Sequence, residues 1–170
     1  MLTAVWKRFD GSNYIAQSAR SSDGGLTWSI PASLSGTGRD ASAPQLSVAP
    51  GGGPTAVWTR SDGSNQAVQA SHSADGVVWR APATLSATGQ DAESPQIAAA
   101  PGGSFTAVWD RSDGTNNIAQ ASHSADGVTW GAPASLSAAG QDAGHPQIVA
   151  AADNSLTAVW SRYNGSHIVV

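Results

Sequence analysis

The sequence predicts an all-β fold of repeated four-stranded antiparallel meanders, the blades of a β-propeller. Three observations predict it. The tetrapeptide Thr-Ala-Val-Trp occurs four times, ending at Trp6, Trp58, Trp109 and Trp160, at intervals of 52, 51 and 51 residues. A second series, Trp28, Trp79 and Trp130, recurs every 51 residues and accounts for the remaining tryptophans. Between these anchors Gly and Pro punctuate every longer stretch, and no apolar pattern sustains the 3.6-residue period of a helix. Several short strands in a repeat of this length are the mark of a propeller.

The elements follow in order within each period. Pro44–Ala49, Pro95–Ala100 and Pro146–Ala151 read as a first strand rich in small residues, suited to the crowded inner ring where blades converge. A Pro-Gly-Gly or Asp-Asn-Ser turn comes next. Phe105–Arg111 exemplifies the second strand, with Thr, Val and Trp of the β-favouring class. Ser-Asp-Gly-Thr-Asn at 112–116 turns the chain as an Asp-Gly hairpin. Asn117–Ser124 is the third strand, Asp126-Gly127 turns again, and Val128–Ser137 is expected to be the fourth. One meander cannot hide both of its faces, so the units must stack, with both tryptophan series in the gaps. The repeats run over 1–43, 44–94, 95–145 and 146–170, the first and last being partial blades. Three-odd blades do not close a ring alone. The expected partner is therefore a second copy of the chain, a dimer completing a propeller of about six to eight blades. A segment of a larger or engineered propeller is the alternative.

Composition narrows the function. Charged residues are 12% of the 170, the formal net charge is −4, and Lys7 is the single lysine. No basic face can form to displace phosphate counterions, which excludes nucleic acid as a partner. No apolar run approaches the length of a membrane-crossing helix, so no membrane partner is expected. With zero cysteines there is no disulfide framework and no thiolate metal site. His72 and His123 hold equivalent places in separate blades without a ligand cluster, which argues against zinc. His145 and His167 read as exposed substitutions. No metal and no cofactor is expected. No basic, apolar leader precedes the first strand, so no signal peptide is expected in this stretch and the compartment stays open.

Ser21-Ser-Asp23-Gly-Gly25-Leu-Thr27-Trp28 follows the pattern Ser-x-Asp-x-Gly-x-Thr-Trp. Ser73–Trp79 and Ser124–Trp130 repeat it one residue shorter, the former with Val78 in place of Thr. These turns resemble the Asp-box of the sialidase-like (BNR-repeat) propeller superfamily, and the resemblance recurs through the whole chain. Chemically the box is a turn clamp: the carboxylates of Asp23, Asp75 and Asp126, expected to be buried, accept backbone N–H groups of their own turns. Trp28, Trp79 and Trp130 are expected to pack between blades. The resemblance implies that these turns lie opposite a catalytic centre, and that many members are secreted or at the cell surface. The sialidase catalytic set does not carry over. The Arg-Ile-Pro segment is absent, the tyrosines are Tyr14 and Tyr163, and the one glutamate is Glu93. No catalytic residue is assigned, and the chain is expected not to be an enzyme.

One polar constellation remains. Arg8, Arg60, Arg111 and Arg162 each lie two residues after the repeated Trp, with Asp10, Asp62, Asp113 or Asn164 two further on. Alternation puts them on one side of the strand. They suit either an Arg–Asp pair tying each hairpin to its neighbour or a ring of guanidinium groups for an acidic ligand. The loops carrying Arg39-Asp40, Gln90-Asp91 and Gln141-Asp142 open on the same face, and Asn13, Asn65 and Asn116 join them. The expected function is a non-catalytic binding or scaffold module, with a glycan as preferred ligand. A fragment of a sialidase-like glycoside hydrolase and a purely structural repeat are the alternatives.

Overall fold

The computed structural model describes all 170 residues, as fourteen strands in four antiparallel sheets without a helix. The first sheet is β1 (Leu2–Phe9), β2 (Tyr14–Ser21) and β3 (Ala32–Ser33). The second is β4 (Ala41–Val48), β5 (Pro54–Ser61), β6 (Gln66–His72) and β7 (Ala83–Thr84). The third is β8 (Ala92–Ala99), β9 (Phe105–Ser112), β10 (Asn117–Ser124) and β11 (Ala134–Ser135). The fourth is β12 (Ala143–Ala150), β13 (Leu156–Tyr163) and β14 (Ile168–Val169). Every sheet is a plain meander in chain order. Strand β4 packs on β8 and β8 on β12, so the small-residue strands meet on the inside and the sheets stack in sequence.

The inner strands begin three residues earlier than expected. Each passes its proline through a bulge: register shifts between Ser42 and Gln45, Glu93 and Gln96, and Gly144 and Gln147. Proline has no N–H for the ladder, and the extra residue carries the strand past it. The residue before each proline bears the strain, with φ of 47° at Ala43, 52° at Ser94 and 52° at His145. The fourth strand is far shorter than expected, two residues in β3, β7 and β11. Pro31, Pro82 and Pro133 interrupt it. Above each break one backbone bond survives, Arg80 N–H to the His72 carbonyl at 3.0 Å and Gly131 N–H to that of His123 at 2.9 Å.

Alternation along the second strand supplies the core. Trp58 faces the first sheet, among Ala16, Leu34, Ala41 and Ala56, with Trp79 against the cluster. Its neighbour Val57 faces the third sheet, and in that gap Val68 and Leu85 from the second sheet's side pack with Ala92 and Trp109 of the third, Trp130 alongside. Trp58 and Trp109 are fully buried, each burial contributing on the order of 4 kcal/mol. Trp28 departs from the expected gap packing. It lies on the outer side of the first sheet and is 46% exposed. On the outer side of the fourth sheet Val159 is exposed where Val57 and Val108 are buried.

Candidate functional site

The meander separates two rims. One carries the β5–β6 type hairpins and the segments entering each new sheet. The other carries the Asp-Gly turns that lead into the short fourth strands.

On the first rim the hairpin aspartates hold their own turns. Asp62 accepts the N–H groups of Ser64 and Asn65, both at 2.8 Å. Asp10 does the same for Ser12 and Asn13, and Asp113 for Thr115 and Asn116. Asn164 fills the role in the fourth sheet. Backbone bonds from Asn13, Asn65 and Asn116 hold these three carboxyls below the usual carboxylate range.

The entering segments are pinned to the preceding hairpins. Asp40 accepts the Tyr14 N–H at 2.8 Å and lies 3.5 Å from the Asn13 amide. Asp91 accepts from Gln66 at 2.7 Å and Asp142 from Asn117 at 2.9 Å. Arg60 donates to the Thr37 carbonyl at 3.3 Å, and Arg111 to the carbonyls of Ala87 and Thr88 at 3.3 and 3.2 Å. The arginines thus tie hairpin to entering loop through carbonyl oxygens, not through the expected aspartates. A carbonyl along the loop is nearer to the fork than a carboxylate already committed to its own turn.

The rim therefore gathers Arg60, Arg111, Asn65, Asn116, Asp91 and Asp142 on one face, and most of their polar groups are occupied in holding loops. Arg8 is exposed. Arg39 lies against the Gly63 turn, near enough to lower the Asp62 pKa further. Arg162 and Asp142 line an open cleft of about 310 Å³, with Asn117, His145, Ser161 and Tyr163. Sequence reasoning passed over Asp110, only 7% exposed in β9. The available signal was its departure from the repeat: Lys7, Thr59 and Ser161 stand in the equivalent places.

The opposite rim holds the Ser-x-Asp turns. Asp23 binds the Thr27 N–H at 3.0 Å and the Thr27 hydroxyl at 2.6 Å, while the Ser21 hydroxyl donates to it at 2.7 Å. In the shorter turns Asp75 accepts from Val77 and Val78, and Asp126 from Val128 and Thr129. These are clamps, but surface ones. Asp75 and Asp126 are exposed rather than buried, because the turn wraps the carboxylate from one side only. The second and third clamps seat on the sheet before them, Gly76 against Thr3 and Arg20 of the first sheet. Gly127, at φ 73°, rests on β6 so closely that a Cβ there would stand 2.8 Å from His72 Nδ1. His72 in turn bonds Thr55 at 2.9 Å.

Three solved structures share this arrangement of sheets. The endo-arabinase from Bacteroides thetaiotaomicron matches with a TM-score of 0.59 and 15% identity over 98% of this chain and 69% of its own. The α-L-arabinanase of Penicillium chrysogenum, complexed with arabinobiose, matches at 0.62 and 12% over 96% and 56%. The GH93 α-L-arabinofuranosidase of Fusarium graminearum, with arabinobiose, matches at 0.60 and 13% over 98% and 54%. The fold is a β-propeller. The chain spans little more than half the length of two of these proteins. No protein-family model matches the chain, and no curated protein matches it in sequence. The expectation of a non-enzyme is corrected here. It rested on the missing sialidase residues, whereas the structures sharing this fold are enzymes named for arabinose polymers. A missing sialidase set is no argument against catalysis of another kind.

Proposed function

We propose that the chain is the propeller portion of a glycan-cleaving enzyme, with the sugar bound over the rim that carries the hairpins and entering loops. The observation that carries this reading is the cleft of about 310 Å³ on that rim. Its lining mixes carboxylate, guanidinium, imidazole, hydroxyl and phenol groups, which suits a ligand presenting many hydroxyls and ring C–H faces. The three arabinan-related enzymes of the same fold support an arabinose-containing polymer as the first substrate class to test. The Ser-x-Asp turns on the far rim support membership of the wider Asp-box group, in which they serve the scaffold.

Self-assembly belongs to the same proposal. Trp79 and Trp130 pack on a neighbouring sheet, while Trp28 is 46% exposed on the outer side of the first. The repeat makes the open side of the fourth sheet equivalent to the surface that Trp79 meets. A second copy of the chain is the occupant we assign to these faces.

The test is reducing-sugar release from debranched arabinan and turnover of 4-nitrophenyl α-L-arabinofuranoside by the purified chain. Cleavage of either supports the reading. Absence of cleavage and of arabinobiose binding at millimolar concentration overturns it.

A further inference from the structure

Strand β13 has an open edge. On one side it pairs with β12 along its length, but on the other β14 covers only Arg162 and Tyr163. From Leu156 to Ser161 that edge meets no strand, whereas β10 covers the whole of β9 in the third sheet. Beside the edge lies an apolar cleft of about 280 Å³, lined by Ala158, Val159, Trp160, Arg162, Val169 and Val170. Successive strand residues point to opposite faces, so a cleft that touches Ala158, Val159 and Trp160 runs along the edge and not over one face. It is the berth that β10 fills beside β9. An unpaired ladder edge next to apolar side chains is a template for another strand.

Two exposed side chains say which strand. Leu34 and Leu85 are each 4% exposed, since Trp79 and Trp130 pack against the clusters that hold them. Each gap between sheets thus joins a leucine of one sheet to a tryptophan of the next. Leu136, next in the leucine series, is 38% exposed, and Trp28, first of the tryptophan series, is 46% exposed. One leucine and one tryptophan are left over, on different sheets. Trp28 lies between β2 and β3. Strand β2 shares Ile-Ala-Gln with β10, at 15–17 and 118–120. In the first sheet it pairs with Leu2-Thr-Ala-Val-Trp6, the same five residues as Leu156–Trp160 of β13. Strand β2 is therefore already paired with the sequence of the open edge.

We propose that two copies of the chain exchange strands, an arrangement that rests on the self-assembly reading above: β2 and β3 of a second copy seat on the open edge of β13, in place of the second copy's own β1. By the register of β1 on β2, Gln17 to Ser21 of the second copy face Trp160 back to Leu156, with Ser18 opposite Val159. These pairs lie beyond the two that β14 makes. Trp28 of the second copy then covers Leu136, as Trp79 and Trp130 cover the earlier leucines. Strand β1 gives way because it is held loosely. Leu2 and Phe9 are exposed and Ala4, Val5 and Trp6 half-buried, where Ala56, Val57 and Trp58 are fully buried. The exchange is reciprocal and closes on a twofold axis. Each chain keeps its two four-stranded sheets, and two exchanged sheets of β12, β13, β2 and β3 join them, six in all.

The test is the variant Ser18→Cys/Val159→Cys, in a chain that has no other cysteine. Opposite residues of a ladder bring their Cβ atoms within disulfide reach. Oxidation should therefore link two copies, giving twice the chain mass of 17.1 kDa on a non-reducing gel, and neither single variant should do so. Val5→Cys/Ser18→Cys should behave in the opposite way. Oxidation ties β1 to β2 within one chain, which should then run as a single copy in gel filtration, and reduction should restore the double mass. Leu136→Glu changes a side chain already exposed in the single chain, so the fold tolerates it, and it should also abolish the double mass. A wild-type chain that runs as a single copy at micromolar concentration overturns self-assembly, and the exchange with it. A wild type of double mass whose Ser18→Cys/Val159→Cys variant does not cross-link, or whose Leu136→Glu variant stays double, overturns the exchange and leaves self-assembly by stacking of whole sheets.

Discussion

The carboxylate of Asp91 accepts the backbone N–H of Gln66 at 2.7 Å, joining the loop that enters the third sheet to the hairpin of the second. Asp40 and Asp142 make the equivalent bonds to Tyr14 and Asn117. These contacts set the spacing of neighbouring blades at the rim where the sugar is proposed to lie. Asp91→Ala should lower stability by about 1 kcal/mol. It should also weaken arabinobiose binding more than Asp75→Ala does, since only the former loosens this rim. Equal effects of the two substitutions in calorimetry would contradict that role.

Asp75→Ala removes a surface clamp that holds the Val77 and Val78 amides. Those bonds hold the Asp75 carboxyl below its ordinary 3.8, backbone N–H of Val78 first. Its stabilising contribution is therefore present above pH 3.8 and lost as the pH falls through the lowered folded value. The substitution should lower the melting temperature by a few degrees at pH 7. The difference from wild type should shrink in acid, which a thermal series down to pH 2 would measure.

Burial pushes the His72 pKa below its ordinary 6.5, and the positive charge of Arg80 adds to the shift. The unfolded chain takes up this proton first. Stability from His72 should thus fall as the pH drops through about 6.5, and level off once the folded protein is protonated too. A His72→Gln variant should show a flatter stability profile between pH 7 and 5. A profile as steep as that of wild type would place the titration elsewhere.

Gly127→Ala meets two obstacles at once, a φ of 73° and the close approach of Thr55 and His72. It should cost about 1–3 kcal/mol and loosen the second sheet from the third. Gly140, at φ 87° with open space around its Cβ position, should suffer only the backbone penalty when changed to Ala. Chemical denaturation of both variants would rank them.

Light scattering coupled to gel filtration should give twice the chain mass of 17.1 kDa at micromolar concentration. Changing Val159 to Glu should return the protein to a single copy, because that side chain lies on the outer face of the fourth sheet and is 48% exposed. A wild-type monomer would refute self-assembly.

Much of this architecture was legible because the tryptophan spacing and the Asp-Gly pairs both repeat, and each constrains a different part of the meander. The fourth strand was less legible. Whether Pro133 breaks a strand depends on which neighbouring carbonyl needs its missing N–H, and that is decided by β10, not by local sequence. The rim misled in another way. Arg111 and Asp113 stand two residues apart and look like partners, yet each is claimed by backbone groups supplied by the tertiary fold. Asp110 and Glu93, opposite each other on β9 and β8, were visible only as exceptions to the repeat, and their meeting depends on a register that no spacing reveals.

The close likeness of β5 and β9, Pro-Thr-Ala-Val-Trp-Thr-Arg-Ser against Phe-Thr-Ala-Val-Trp-Asp-Arg-Ser, has a consequence for how the chain folds. Each could form a ladder with the other's partner, β10 or β6, with nearly the same side chains facing. What separates right from wrong is the closure of the loop: the Asp62 turn joins β5 to β6 across four residues, while the crossed pairing must close over an entire sheet and pay a larger entropy. Correct assembly is thus favoured by speed as much as by final contacts. Lengthening the turn at Ser64 with flexible residues should slow refolding and populate crossed, aggregation-prone species long before it disturbs the finished protein.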